Sequence, residues 1–210
     1  MPVAASISRE VSALIGVAVV TRAQGSRIWV DYLGEAVPCL GRGIRVLPGD
    51  EVEMKRRPDT TYAIVGFRPR RGEVVRLGTN GRRRVAVANL DQVVVIAAAG
   101  SSLKRSLRRP AGSRPEIVLV INKCDLEDER STGSRVAGLV ERGAEVVLTS
   151  ATSGQGLPEL RSRLEGRLSA LVGVAGAGKT SLIQALYPGY DLRESTGELY
   201  PLPGGGYLAV

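Results

Sequence analysis

A glycine-rich loop that carries a lysine is the clearest chemical feature of the sequence. Residues Gly173–Thr180 read GVAGAGKT and match the pattern G-x-x-x-x-G-K-[ST] of a phosphate-binding loop. The glycines of such a loop let backbone N–H groups converge on phosphate oxygens, and the helix that follows adds its N-terminal dipole. The sequence therefore predicts a site for the phosphates of a nucleotide, close to the end of the chain.

Two residues of this loop carry the chemistry. Lys179 would place its positive charge on the β and γ phosphates, and the Thr180 hydroxyl would ligate Mg²⁺. These two residues are the candidates for catalysis, and Thr180 is the candidate metal ligand. The loop's candidates for nucleotide binding are Gly173, Val174, Ala175, Gly176, Ala177, Gly178, Lys179, Thr180 and Ser181.

A second motif, NKCD at Asn122–Asp125, follows an apolar run and predicts recognition of a base. The Asp125 carboxylate can accept hydrogen bonds from the N1–H and N2 amino groups of guanine, a donor pair that adenine lacks. The aliphatic stem of Lys123 can lie over the flat base, and Asn122 can bridge to neighbouring loops. Alone, the motif also describes a turn at the end of a strand. Because a phosphate-binding loop lies in the same predicted unit, we favour guanine recognition as the role of this motif.

The segment Thr149–Ala151 (TSA) ends the next predicted strand, and its Ala151 N–H is placed to contact the guanine O6. Ser150 and Ala151 therefore join the candidates for nucleotide binding. An ordinary small GTPase opens with its phosphate loop, whereas here both base-recognition segments precede it. We interpret this order as a circular permutation, which leaves the fold possible because neighbouring strands need proximity in space and not in sequence.

The composition limits what these motifs can do. The chain has no His, which removes the commonest general base and any Cys/His zinc site. Its two cysteines, Cys39 and Cys124, form no disulfide framework, so we expect a reduced, cytoplasmic setting. No apolar run reaches the roughly 18 residues of a membrane span, and we expect a monomer without membrane association.

Positive charge is concentrated in the first part of the chain. The net charge is +8, and residues 1–84 hold 15 Lys or Arg against 8 Asp or Glu. This asymmetry indicates a module that binds a polyanion such as RNA. A solvated basic surface with no partner is the alternative.

The pattern of apolar residues predicts an α/β protein, α+β overall, with two parts. Five short β-rich runs within residues 16–68 predict a small barrel, for which an OB-type fold and an SH3-like fold both fit. We take residues 1–71 as an OB-fold-like RNA-binding domain and 72–84 as a basic linker. From residue 85, strands alternate with helices, which is typical of a parallel sheet. Residues 85–210 are therefore the predicted P-loop GTPase domain, in which one helix and one more strand follow the loop.

Taken in order, these motifs resemble the circularly permuted ribosome-biogenesis GTPases over nearly the whole chain. The resemblance implies an OB-fold domain, a permuted GTPase domain, Mg²⁺-dependent hydrolysis of GTP to GDP, and binding to the small (30S) ribosomal subunit and its rRNA during late maturation. The matching pieces are RVLPGDEVE, VANLDQVVVIAAA, NKCD, TSATSGQGLPEL, LVGVAGAGKTSLIQAL and STGELYPLPGGGYLAV.

The sequence also departs from that family. The family has a His- and Thr-bearing switch segment after STG, a longer helical crossover near residues 101–115, an Asp-Thr-Pro-Gly element after the GGGYL strand and a Cys/His zinc domain. None of these is present in the 210 residues, so we expect a shortened member whose GTPase domain is incomplete at its C-terminus. A nonenzymatic RNA- or ribosome-binding module and a P-loop ATPase or kinase of another class are the alternatives.

Overall fold

Five strands of the first half close into a barrel. The structure is a computed structural model that describes residues 14–41, 43–77, 83–100, 115–127, 129–141, 143–190 and 198–209. Alternating residues point inward, and the barrel core contains Val20, Val30, Val52 and Met54, all fully buried. The barrel strands are β1 Leu14–Gln24, β2 Arg27–Tyr32, β3 Glu35–Leu40, β4 Glu51–Arg56 and β5 Tyr62–Phe67.

The pairing of these strands identifies the barrel type. The order around the barrel is β1-β2-β3-β5-β4, with β1 paired to both β2 and β4 and with β3 parallel to β5. This five-stranded closed arrangement is the OB type, so the structure decides between the two barrels that the sequence left open. The long β1 pairs with two neighbours because a register shift between Val20 and Arg22 bends it.

A hairpin follows the barrel where we expected a basic linker. Strands β6 Glu73–Leu77 and β7 Arg83–Ala88 pair antiparallel. The sequence signal was present, because an Asn-Gly pair at positions 80–81 between two β-rich runs is a strong hairpin signal. Residues 78–82 lie outside the described residues.

The second sheet has six strands in the order β10-β9-β8-β11-β13-β12. All neighbours in it are parallel except β12, which pairs antiparallel with β13. We expected one strand after the phosphate loop and its helix, whereas the chain forms two, joined through residues 202–206. The strands are β8 Gln92–Ala98, β9 Glu116–Asn122, β10 Glu145–Thr149, β11 Leu168–Gly173, β12 Leu199–Pro201 and β13 Tyr207–Ala209.

In the described part of the chain, three helices cover this sheet: α1 Glu129–Val140, α2 Leu157–Leu164 and α3 Lys179–Leu186. Leucines of α2 and α3 pack on one face with Val94 and Ile96. Val93 and Val95, which point the other way, share a second cluster with α1 and with Val19 of the barrel. Both faces of β8 are therefore buried, as its continuous apolar sequence predicts. The predicted crossover over residues 101–114 and the STG segment lie outside the described residues.

The barrel and the sheet contact each other directly. Arg22 of β1 forms an ion pair with Glu198, immediately before β12. The Tyr207 hydroxyl of β13 donates a hydrogen bond to Asp31 Oδ2 of β2 at 2.9 Å. Burial, and then this bond to a carboxylate, raise the pKa of Tyr207 well above its ordinary value. Within the described part of the chain, no helix is long and apolar enough to cross a membrane.

Removing the Tyr207 hydroxyl should loosen this contact. We expect Tyr207→Phe to lower the free energy of unfolding by about 1.5 kcal/mol, because the bond is made to a charged acceptor. The raised pKa adds a pH signature. In the parent, stability should fall as the pH rises above about 10, where an unfolded tyrosine loses its proton but the folded Tyr207 keeps it.

Urea unfolding between pH 8 and pH 11 measures both effects. The variant should lose stability less steeply than the parent in the alkaline range. Tyr62→Phe, a tyrosine packed against the barrel core, is the control and should follow the parent's pH dependence. If the free energy of unfolding falls equally steeply with alkaline pH in the parent and in Tyr207→Phe, the hydroxyl of Tyr207 is not the source of the pH dependence.

Candidate functional site

Three loops meet at one edge of the six-stranded sheet. Strands β9, β10 and β11 are parallel through β8, so their carboxyl ends face the same way. The NKCD motif follows β9, the TSA segment ends β10, and the phosphate loop follows β11. Ligands of open parallel sheets bind at this edge, next to the strand where the chain reverses its direction of winding. The chain makes that reversal at β8, between β9 and β11.

The phosphate loop has the backbone that its glycines predict. Gly176 and Gly178 adopt positive φ angles of 80° and 88°. Lys179 begins α3 directly after Gly178, so the first-turn N–H groups of the helix point into the loop. Ala177 is buried, while Thr180 and Ser181 are exposed at the helix start. The loop therefore presents backbone donors and a hydroxyl to one point, as anion binding requires.

The Lys179 ammonium lies across this loop. Its Nζ donates hydrogen bonds to the carbonyl oxygens of Gly173 at 2.8 Å and Val174 at 3.2 Å. These contacts hold the positive charge over the loop instead of letting the side chain extend into solvent. The charge therefore stands beside the N–H groups that would face a phosphate.

Asn122 joins the base-recognition motif to the phosphate loop. Its side chain is 1% exposed, and its Nδ2 donates to the Ala177 carbonyl at 3.1 Å. Its Oδ1 accepts a hydrogen bond from the Thr149 hydroxyl at 3.3 Å. One buried amide therefore links the ends of β9, β10 and the phosphate loop. These two hydrogen bonds are the bridge to neighbouring loops that we expected of Asn122.

Gly178 is required at its position for a second reason besides its φ angle. A Cβ atom added there would lie 2.3 Å from Asn122 Nδ2. The Cε atom of Lys123 is also close, 3.7 Å from that same point. The absence of a side chain at Gly178 lets the two motifs approach each other closely.

The rest of the NKCD motif faces solvent. Lys123 has a left-handed backbone with φ 65°, which turns the chain into a short 3₁₀ turn at Cys124–Leu126. Asp125 is exposed in that turn, where its carboxylate can meet a base from outside. The Cys124 thiol donates to Gln155 Oε1 at 3.3 Å. Partial desolvation, and then the neighbouring Asp125, raise the pKa of this thiol, which keeps it protonated.

The TSA segment forms a tight loop on the far side of the motif. Ser150 is buried, and its hydroxyl accepts a hydrogen bond from the Ser153 N–H at 3.1 Å. Gln155 returns to the segment, since the Ser150 N–H donates to its carbonyl at 3.0 Å. Ala151 follows, half-buried at the site edge. This segment and the NKCD turn thus share Gln155 as a common neighbour.

Sequence reasoning missed two positions that hold the site together. Thr149 was quoted only as part of TSA, yet its hydroxyl orients the Asn122 amide. Gln155 carried no role, yet it contacts both Cys124 and Ser150. A signal existed for Thr149, because a polar residue at the inward-facing end of an apolar strand needs a buried partner. No sequence signal distinguished Gln155.

The donor set fits magnesium better than a metal held by protein ligands alone. Among the described residues, no group of three or more His, Cys, Asp or Glu side chains is placed to hold a metal ion. Mg²⁺ commonly keeps its waters and binds through substrate phosphates with one or two protein oxygens. The exposed Thr180 hydroxyl at the start of α3 is such an oxygen.

Comparison with known proteins identifies the family. The model of the RsgA GTPase family matches residues 67–201, which include all three site segments. The chain belongs to the RsgA GTPase family. Proteins named small ribosomal subunit biogenesis GTPase RsgA from Gemmatimonas aurantiaca and Moorella thermoacetica are each 34% identical to it, over 89% and 90% of this chain.

The similarity to RsgA proteins covers more of this chain than the family model does. The chain spans 68% and 71% of the length of those two relatives, and 54% of a relative from Ectopseudomonas mendocina that is 32% identical. The crystal structure of YjeQ from Thermotoga maritima is similar over 91% of this chain and 72% of its own, at 28% identity and a TM-score of 0.72. YloQ, a circularly permuted GTPase, shares the fold with a TM-score of 0.68 at 21% identity over 95% and 71% of the two chains.

These findings confirm the predicted fold. The barrel, the parallel sheet and the order of base motif before phosphate loop are those of a circularly permuted GTPase of the RsgA family.

Proposed function

We propose that this chain binds guanine nucleotide at the carboxyl edge of its parallel sheet, hydrolyses GTP and assists late maturation of the small ribosomal subunit. The contact that carries the proposal is the buried Asn122 amide, which ties the base motif to the phosphate loop. A nucleotide that bridges the two motifs would find them already held in register. Preorganisation of this kind supports both affinity and positioning of the reacting phosphate.

Each candidate residue has a proposed role in binding. Asp125 accepts the guanine donors, the stem of Lys123 covers the base, and Ser150 with Ala151 forms the wall at O6. Lys179 and the loop N–H groups hold the phosphates. Mg²⁺, ligated by Thr180, would neutralise charge on the β and γ phosphates. The proposed nucleotide contacts from the loop run over Gly173, Val174, Ala175, Gly176, Ala177, Gly178, Lys179, Thr180 and Ser181.

The barrel is the proposed RNA-binding part. Residues 1–71, which contain the barrel, hold 11 Lys or Arg against 7 Asp or Glu. This excess and the OB topology favour contact with the rRNA of the small subunit. We propose that residues 1–71 act as this domain and 85–210 as the GTPase domain, with the hairpin of β6 and β7 covering the predicted linker and extending to Ala88. A cytoplasmic monomer without membrane association is the setting we propose.

A nonenzymatic RNA- or ribosome-binding module is the second candidate, favoured by the concentration of positive charge in residues 1–84. The two functions separate in one experiment. GTP turnover that small subunits stimulate supports the GTPase. Binding to the subunit that is the same with GDP and with a nonhydrolysable GTP analogue, and that does not change in Lys179→Ala, supports the module.

Asp125→Asn tests the guanine assignment. We expect affinity for GDP to fall ~100-fold, because two hydrogen bonds to a charged acceptor are lost. The preference for guanine over adenine nucleotides should largely disappear. Fluorescence titration with labelled GDP and ADP measures both affinities.

The new side chain offers an internal control. Xanthosine diphosphate carries a carbonyl where guanine carries the amino group, so the introduced amide can donate a hydrogen bond to it. We expect the variant to bind xanthosine diphosphate more tightly than the parent does. An unchanged ratio of GDP to ADP affinity in Asp125→Asn would refute the role of this carboxylate.

A further inference from the structure

The chain's single Phe lies on the surface of the barrel. Phe67 is the last residue of β5, and 47% of it is exposed. Aromatic side chains are few in this protein, at 4% of residues. Burial of an aromatic ring is one of the larger favourable contributions to a core, so its exposure here leaves that contribution unused in the folded chain.

The other barrel aromatics are already covered. A guanidinium, that of Arg22, lies over the Trp29 ring at 5.0 Å from its centroid. Tyr32 and Tyr62 are half-buried and pack against the barrel core. Trp29 therefore lies neither in the buried core nor on an open stacking surface. Within the described barrel, Phe67 is the aromatic ring that is exposed.

Phe67 borders a groove of about 490 Å³. This volume lies within the roughly 300–1,000 Å³ range of sites that hold small ligands. The groove lies between the connection from β3 to β4 and the end of β5, and we call it the Phe67 groove. Its lining residues are Gly43, Ile44, Arg45, Asp50, Phe67, Arg68 and Arg70.

The charge of the Phe67 groove is positive. Its carboxylate, Asp50, is 2% exposed and is bound by Arg70 through two hydrogen bonds of 2.6 and 2.8 Å. The Leu47 N–H donates to the same carboxylate at 2.8 Å. The negative charge is thereby neutralised inside the protein. Arg45 and Arg68 line the groove and are both exposed.

The neighbouring acidic residue does not cancel this charge. Glu51 lies 3.6 Å from Arg68 and 3.3 Å from Arg71, so two arginines share one carboxylate. Glu53, whose carboxylate lies beside Gly66, adds a second carboxylate. The three arginines Arg45, Arg68 and Arg71 still outnumber these two carboxylates beside the exposed ring.

We propose that the Phe67 groove binds an unpaired base of RNA, which stacks on Phe67 while Arg45 and Arg68 contact the flanking phosphates. Proteins that hold single-stranded nucleic acid combine aromatic platforms with a cationic groove in this way. The proposal rests on the proposed RNA partner of the barrel. It places that partner away from the face of strands 2–3 that OB folds commonly use.

An RNA strand fits this surface better than an acidic segment of protein. The pairing of a flat open ring with two cations matches the alternation of base and phosphate along a single strand. An acidic peptide would use the arginines but would leave the ring without a partner of matching shape. Variants of Phe67 therefore distinguish a bound RNA strand from a bound acidic peptide.

The experiment measures anisotropy of a fluorescein-labelled single-stranded oligouridylate of about 12 nucleotides with the whole chain. Phe67→Leu keeps an apolar side chain at the surface but removes the aromatic face, and it should weaken binding about 5- to 150-fold. Phe67→Tyr should bind as the parent does. Val65→Ala, at an exposed position of the same strand outside the groove, is the matched control and should leave affinity unchanged.

The salt dependence tests the arginines. Arg45→Gln should reduce the slope of log affinity against log salt by about 0.7, the value for one contact to a single-strand phosphate. A slope equal to that of the parent would remove Arg45 from the proposed contact.

Three results would overturn the proposal. They are parent-like RNA affinity in Phe67→Leu, absence of oligouridylate binding by the parent, and competition by poly-glutamate as effective as competition by unlabelled RNA. Titration of the same variants with labelled GDP separates this proposal from the proposed GTPase. Parent-like RNA binding by Phe67→Leu in a chain that keeps its guanine preference overturns the groove alone, and weakened RNA binding by Phe67→Leu in a chain without guanine preference overturns the GTPase alone.

Discussion

Lys179→Ala should weaken binding of GDP by about 10- to 100-fold, because it removes a charged donor from phosphate oxygens. GTP turnover should fall further, by roughly 10²- to 10³-fold, because negative charge develops on those oxygens in the transition state. The structure places the ammonium over the loop already, held by the carbonyls of Gly173 and Val174. The charge is therefore lost at the point where phosphate would bind.

Binding is measured by titration with labelled GDP, and turnover by phosphate release in the presence of small ribosomal subunits. Lys55→Ala, at a lysine of the barrel strand β4 outside the nucleotide site, is the matched control for binding and should leave the GDP affinity unchanged. Urea unfolding of Lys179→Ala checks that the loop still folds. Equal GDP affinity in parent and variant would show that the loop does not hold phosphates through this residue.

Gly178→Ala should destabilise the protein by about 3 kcal/mol and abolish most nucleotide binding. Part of the cost is the left-handed backbone, which is worth about 1–2 kcal/mol for a residue with a Cβ. The rest arises because the new Cβ would lie 2.3 Å from Asn122 Nδ2. Asn122 is buried and cannot move aside without breaking its hydrogen bonds to Ala177 and Thr149.

Gly176 provides a matched control in the same loop. It has a similar φ of 80°, but an added Cβ there would meet no heavy atom within 4 Å. Gly176→Ala should therefore cost only the backbone part, about 1–2 kcal/mol. Urea unfolding compares the two variants directly.

A double-mutant cycle isolates the contact with Asn122. In an Asn122→Ala background, Gly178→Ala should cost no more than Gly176→Ala costs in the parent, because the clashing amide is absent. If the cost of Gly178→Ala is the same in both backgrounds, the clash with Asn122 is not its cause.

Most strands of the parallel sheet were predictable, because their sequences carry the signal directly. The run QVVVIAA of β8 is buried on both faces and reads as continuous apolar sequence. The helix α2 begins beside Pro158, as its position near a helix start predicts. We interpreted residues 72–84 as a basic linker because they contain many arginines, and we did not predict the hairpin that β6 and β7 form there.

The barrel type could not be predicted from its strands alone. Both barrel folds offer five short strands with turns between them, and the difference lies in which strands pair. The parallel pairing of β3 with β5, through Cys39 with Tyr62 and Leu40 with Ala63, joins residues more than 20 positions apart. Local periodicity carries no information about such pairs.

The amino-acid sequence by itself determined the residue types and the order of the candidate site: the glycine-rich loop with its lysine at Gly173–Thr180, the N-K-x-D segment at Asn122–Asp125 and their permuted order. Each of these motifs consists of particular residue types within a few consecutive positions, so it can be recognised without knowing the fold. Only the tertiary structure decided that a buried Asn122 amide joins the two motifs, and that Phe67 and not Trp29 is the open ring of the barrel. Both facts depend on residues brought together from distant parts of the chain, where burial and hydrogen-bond geometry, and not spacing, set the outcome.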